Sequence, residues 1–203
     1  METAAIVLIA KTESKPLDDE NVFFIQGTVT EENLKRANLQ QARTVVILGD
    51  DQLETNARDA QVVLATLTVE SINPNVYTIV ELVDEANVPH CERAHADEII
   101  VGSEFSSRLI SRASLNHGIS KVLSELLSSR YGNDLYKVPV PTPLQGKSFI
   151  EVFTEMKRQK NNIVLAIQKD DGAKVIANPG NDYPVEKGDF LIVISQDAPG
   201  KKL

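Results

Sequence analysis

The chain has 203 residues, of which 42% are hydrophobic and 25% charged, with a formal charge of −8 and one cysteine. This is the composition of a folded globular protein, and its acidic balance excludes nucleic-acid binding by phosphate neutralisation, which needs a dense Lys/Arg face. Cys91 alone excludes an internal disulfide and fits a reducing compartment, while the longest uninterrupted apolar run, residues 4–10, is far short of the ~20 residues that cross a bilayer.

In chain order, the runs at 4–10 and 21–27 are continuously apolar, the pattern of strands covered on both faces. The stretch TVTEENLKRANL that follows opens with a predicted capping box between Thr28 and Glu31. A third strand is expected over 43–51. Leu53, Ala57, Ala60, Leu64 and Leu67 then recur at spacings of four and three, which predicts one apolar face of a helix. A fourth strand over 75–84, a short helix in ANVPHCERAHA and a fifth strand over 97–103 complete an alternation of strand and helix. That alternation predicts a parallel α/β sheet with right-handed crossovers.

After Ser103 helix follows helix. Phe105, Leu109, Ile110 and Ala113 form a first stripe; Asn116, His117 and Gly118 form a break, with Gly118 as a left-handed stop; Ile119, Val122, Leu123, Leu126 and Leu127 form a second stripe. Left bare, the second stripe would expose more apolar area than a monomer tolerates, so it is expected to meet another subunit, whereas the first fits packing on the chain's own sheet. Three prolines in 139–143 read as an extended connection at a domain boundary. Beyond them come a helix capped by Ser148 and Glu151, a hairpin turning at Asp171-Gly172, and a last strand after Gly188 and Asp189, together a small α+β lobe. The expected divisions are 1–103, a Rossmann-like lobe; 104–130, a helix-turn-helix connector; and 131–203, the C-terminal lobe.

Ligands of parallel sheets bind at the carboxyl ends of the strands. Asp50 and Asp51 follow the third strand and Glu81 and Asp84 end or follow the fourth, so these four acids are candidate ligands for Ca2+ or another hard divalent cation, which takes about six oxygens. Cys91 and His95 stand four apart, but a zinc site needs a further pair that the sequence lacks; a surface histidine and a buried cysteine are the simpler expectation. His117 reads as a turn residue. There is no G-x-S-x-G, and Cys91 has no orienting network, so no enzyme is expected.

Taken together, GTVTEENLKRANLQQARTVVIL, TIVELVDEANVPHCERAHADEIIV, SRLISRASLNHGISKVLSELL and IANPGNDYPVEKGDFLIVIS resemble the regulator of K+ conductance (RCK) domain of prokaryotic potassium channels and Trk or Ktr uptake systems. The resemblance implies a cytoplasmic gating domain at the inner face of the membrane, acting on a pore in the same polypeptide or a separate subunit. It further implies homodimers that exchange the helix-turn-helix, with Phe105, Leu109, Ile119, Val122, Leu123, Leu126 and Leu127 at the interface and Asn116–Gly118 as the hinge, and pairs assembled as an octameric ring. A soluble regulatory subunit of a Trk or Ktr transporter is the alternative; an oxidoreductase of the Rossmann type is disfavoured. In Ca2+-gated members acids lie in the region of Glu81, although Leu48 stands where another acid is expected. The first strand matches the family's second, no G-x-G-x-x-G occurs, and Lys11 replaces the acid that would bond the ribose. A classical NAD site is therefore not completed by this chain, and Lys11, with Lys15, is left as a weak phosphate attractor.

Overall fold

The computed structural model describes residues 5–128, 132–169 and 174–196. The chain divides between Ser111 and Arg112 into two compact units.

The first unit holds β1 (Ile6–Ala10), β2 (Val22–Gln26), α1 (Glu31–Arg36), β3 (Thr44–Ile47), α2 (Thr55–Ile72), β4 (Tyr77–Leu82), α3 (Val88–Arg93) and β5 (Glu98–Val101). All its strand pairs are parallel, as the strand-helix alternation predicts, but they form two sheets, β1-β2 and β3-β4-β5. β1 and β3 are thus each paired along one side only.

Burial corrects two expectations. Ile6, Val7 and Phe23 are exposed, so β1 and β2 are not covered on both faces; Val22 and Ile25 alone in these strands are buried. An apolar run records what a strand can bury, not what covers it. On α2 the predicted stripe faces outward: Ala57, Ala60, Leu64 and Leu67 are exposed, Leu64 by 64%. The buried face is Asp59, Val62, Ala65, Thr66 and Val69, which packs with Ile47, Val80, Leu82 and Val101 of the strands. The helix carries apolar residues on both sides, and the sheet selects the side that includes small and polar groups able to satisfy themselves. Thr66, for example, donates its hydroxyl to the Val62 carbonyl at 2.8 Å. The helix cap also moves by two residues: Thr30, not Thr28, accepts the Asn33 amide at 3.2 Å, because Asn33 Nδ2 donates to the Thr28 carbonyl at 2.9 Å and fixes the approach.

α4 (Gly102–Leu115) and α5 (Ile119–Leu126) flank the predicted break, where Gly118 has φ +100° with open space around it. Neither helix has a buried residue. The first stripe therefore does not close the Rossmann-like lobe: Phe105 is exposed, and Ile110 is 70% exposed.

The second unit contains α5, β6 (Asp134–Pro139), α6 (Phe149–Lys160), β7 (Ile163–Gln168), β8 (Val175–Ala177) and β9 (Phe190–Ser195). Its sheet is antiparallel in the order β6-β9-β7-β8. The proline-rich stretch is no free connection: Pro139 ends β6 opposite Phe190, and Val138, Val140 and Leu144 are buried. Proline is tolerated there because β6 is an edge strand whose outer amides need no ladder partner. α6 begins as predicted, with Glu151 accepting both the amide and the hydroxyl of Ser148, at 2.9 and 2.6 Å. Its Phe149, Val152 and Met156 pack with Ile167, Leu191 and Val193. The hairpin β7-β8 is present; its Asp171-Gly172 turn lies outside the described residues. No helix among the described residues is long and apolar enough to cross a membrane.

Candidate functional site

The carboxyl ends of β3 and β4 gather charged side chains from four segments. From the end of β1, Lys11 Nζ reaches Asp50 Oδ2 at 3.4 Å, and the Gln52 amide donates to Asp50 Oδ1 at 3.0 Å. That amide first, and then Lys11 and Arg58, hold the Asp50 carboxyl below the usual carboxylate range against the opposing effect of desolvation. Beside it Arg58, in the first turns of α2, bridges two acids. Its Nη1 lies 2.6 Å from Asp51 Oδ1 and its Nη2 3.0 Å from Glu81 Oε2. The Arg58 side chain is 18% exposed, and its Nε is buried without a hydrogen-bond partner. Gly49 makes the bridge possible, since a Cβ there would overlap Arg58 Cγ and Nε.

The next residue fixes the loop after β4. The Asp59 carboxylate is fully buried and accepts the amides of Val83 and Asp84, both at 3.0 Å, and Asn87 Nδ2 at 2.9 Å. A buried carboxylate persists when charge-assisted hydrogen bonds replace its water. Asp84, in turn, caps the short turn Glu85–Asn87 by accepting the Ala86 amide at 2.9 Å. Consecutive residues of α2 thus hold the end of β4 and the loop that follows it.

The four predicted acids therefore share one edge without forming one cluster. Asp50 pairs with Lys11, Asp51 and Glu81 share Arg58, and Asp84 serves its own turn. Among the described residues, no three His, Cys, Asp or Glu side chains are placed to hold a metal ion. The sequence reading missed Arg58 and Asp59. Their signal was an adjacent basic-acidic pair at the start of a helix that follows an acidic loop, masked by assigning the helix face from its leucines. Lys11 stands at the end of β1 as predicted, engaged with Asp50; Lys15 donates to the Asp19 carbonyl at 2.5 Å.

Cys91 is fully buried in the core, and its thiol is pushed up by desolvation and by the nearby Asp59 charge. His95 lies beyond the end of α3 with φ +65°, so the two do not share a helix face. His90 Nδ1 and Arg93 Nη2 are 2.9 Å apart. On the connector, Phe105, Val122 and Leu127 are exposed, while Leu109, Ile119, Leu123 and Leu126 are half-buried.

These features define a class: a two-unit α/β protein with a Rossmann-like parallel sheet, a charged carboxyl edge and a small antiparallel lobe. Two family models match consecutive parts of it. The calcium-activated potassium channel slowpoke-like RCK domain matches residues 4–80, and a family described as Castor and Pollux, part of voltage-gated ion channel, matches residues 103–202. The calcium-gated potassium channel TvoK of Thermoplasma volcanium is 29% identical over 202 residues, covering 97% of this chain and 56% of TvoK. YugO of Bacillus subtilis, which carries a provisional potassium-channel name, is 32% identical over 197 residues, covering 93% of this chain and 57% of YugO. The human SLO3 gating ring shares the fold with a TM-score of 0.74 at 17% identity, over 95% of this chain and 39% of that one. Over residues 4–80 the chain matches the RCK-domain family, and it spans little more than half the length of these two relatives.

Proposed function

We propose that the chain is the cytosolic, ligand-sensing regulatory domain of a potassium channel, working by binding rather than catalysis. The observation that carries this reading is the connector. α4 and α5 present apolar stripes with no buried residue, on either side of a glycine in a left-handed conformation. Surfaces of that kind are covered by a partner, and a second copy supplies two matching stripes by symmetry. Pairs joined in this way, with Asn116–Gly118 as the joint, convert a ligand's preference for one arrangement into movement that a pore can use. A ring of such pairs is the form that fits the family.

The ligand belongs at the carboxyl edge of β3 and β4. TvoK is named as calcium-gated, and a divalent cation is the effector that suits Asp51 and Glu81, with Asp50 and Asp84 nearby. Light scattering at micromolar concentration tests the pairing: twice the chain mass is expected, lowered by Leu123→Glu, and a monomeric unmodified chain refutes it. Calorimetry with Ca2+ tests the ligand: saturable heat that falls in Glu81→Gln supports it, and no saturable heat at millimolar Ca2+ in any variant removes it.

A further inference from the structure

We propose that the outer face of α2 is a contact between copies of this chain, in which two α2 helices lie antiparallel along the seam Ala57, Ala60, Leu64 and Leu67. The first observation is where the helix keeps its charges. Arg58 turns inward to Asp51 and Glu81, Asp59 to the amides of Val83 and Asp84, and Glu70 to the Thr78 hydroxyl. Among the described residues of α2, Thr55–Ile72, none that is exposed carries a charge. The other surface helices differ: α1, α4 and α6 each carry an ion pair, Lys35 with Glu31, Arg108 with Glu104 and Arg158 with Glu155. In a chain that is 25% charged, an 18-residue helix with a neutral, leucine-bearing outer face has the composition of an interface core rather than of a solvated surface.

The order of side-chain sizes selects the occupant. The four positions are spaced by three, four and three, the a and d places of a helix pair. The alanines stand towards the N-terminus and the leucines, 64% and 47% exposed, towards the C-terminus. A second α2 running antiparallel sets Leu67 of one copy against Ala57 of the other and Leu64 against Ala60, so small meets large along the whole seam. A parallel partner would stack leucine on leucine at one end and leave a gap at the other. Charge points the same way, because two copies at −8 each repel over most approaches, and least where neither presents a charge.

Four side chains per copy bury much less than the ~1,200 Å2 of a stable interface. The seam is therefore bare in dilute solution and closes between copies held close together. Substitutions on it act on assembly, not on folding.

The test is cross-linking with a short bis-maleimide at millimolar chain concentration, using Ala57→Cys, Leu67→Cys and their equimolar mixture, since buried Cys91 does not compete. Circular dichroism melts confirm that each variant is folded. The mixture is expected to yield cross-linked pairs several-fold above either variant alone, and Leu64→Glu added to both chains is expected to lower it to the single-variant background. The gain should persist in chains that also carry Leu123→Glu, which keeps the seam distinct from the connector. Equal yields from the mixture and the single variants, including none at all, overturn the proposal, as does a gain that survives Leu64→Glu. Efficient cross-linking of either variant with itself replaces the antiparallel pair with a parallel one, and a gain lost with Leu123→Glu assigns the contact to the connector instead.

Discussion

The N-terminal unit and the C-terminal lobe finish their sheets in opposite ways. The C-terminal sheet is antiparallel, its four strands lie in one continuous order, and Val152, Ile167, Val185, Leu191 and Val193 are sealed from solvent. The N-terminal unit has parallel strands in two sheets, one side of β1 and one of β3 unpaired, and exposed Ile6, Phe23, Val46, Leu48 and Ile100 on or beside those strands. Antiparallel neighbours can be joined by short turns, whereas parallel neighbours need crossovers that bring distant segments together. The contrast does not lie in sequence separation, since β6 lies against β9 with Asp134 opposite Ser195; it lies in closure, because the lobe's four strands form one sheet while the N-terminal strands form two and leave surfaces exposed.

If the two units are cooperative on their own, core truncations should act separately. Leu191→Ala in β9 and Leu82→Ala in β4 are each expected to cost about 2–5 kcal/mol. In denaturant titration each should shift the transition of its own unit; a single transition moved equally by both would erase the contrast.

Asp59→Ala sharpens the contrast from within the N-terminal unit. It strands the amides of Val83 and Asp84 and is expected to cost about 3 kcal/mol. Hydrogen exchange should quicken at these two amides, with the β9 amides unchanged.

Next in size is the cap of α6. Ser148→Ala is expected to cost about 1 kcal/mol. The Ser148 hydroxyl, followed by its amide, holds the Glu151 carboxyl below its ordinary range. A carboxyl whose folded value is depressed stabilises the fold above its unfolded value, about pH 4.3, and loses that contribution as the pH falls through the depressed folded value. Glu151→Gln should therefore flatten the acid limb of the C-terminal lobe's stability profile below about pH 4.3 and leave that of the N-terminal unit unchanged.

The smallest expected effect concerns the outer face of α2. Leu64→Lys should change stability by no more than about 0.5 kcal/mol, since it removes little packing, whereas Val62→Ala, on the buried face, should cost clearly more. Equal losses would mean that the outer stripe is covered.

That pair of residues also shows what the sequence could and could not reveal. The order of strands and helices, the Ser148–Glu151 cap and the Gly118 break were legible, because each rests on local pattern: apolar runs, a capping spacing, a glycine between two stripes. The buried face of α2 was not, because Leu64 and Leu67 outrank Asp59 and Thr66 in hydrophobicity, and only the partners of Asp59 at Val83, Asp84 and Asn87 make its burial tolerable. Asp50, Asp51, Glu81 and Asp84 do lie at the carboxyl ends of β3 and β4 or in the loops that follow, as their spacing implied. Their division among Lys11, Arg58 and a turn amide was hidden, since the contacts of Lys11 with Asp50 and of Arg58 with Glu81 join residues more than 20 positions apart.

Cys91 has a practical consequence for following any such rearrangement. It is the chain's only cysteine, it is fully buried, and desolvation raises its thiol pKa, so it is inert to alkylating reagents while the fold is intact. A cysteine introduced at exposed Glu20 or Lys187 would be the sole reactive thiol, ready to carry a fluorophore or spin label without first removing the native one.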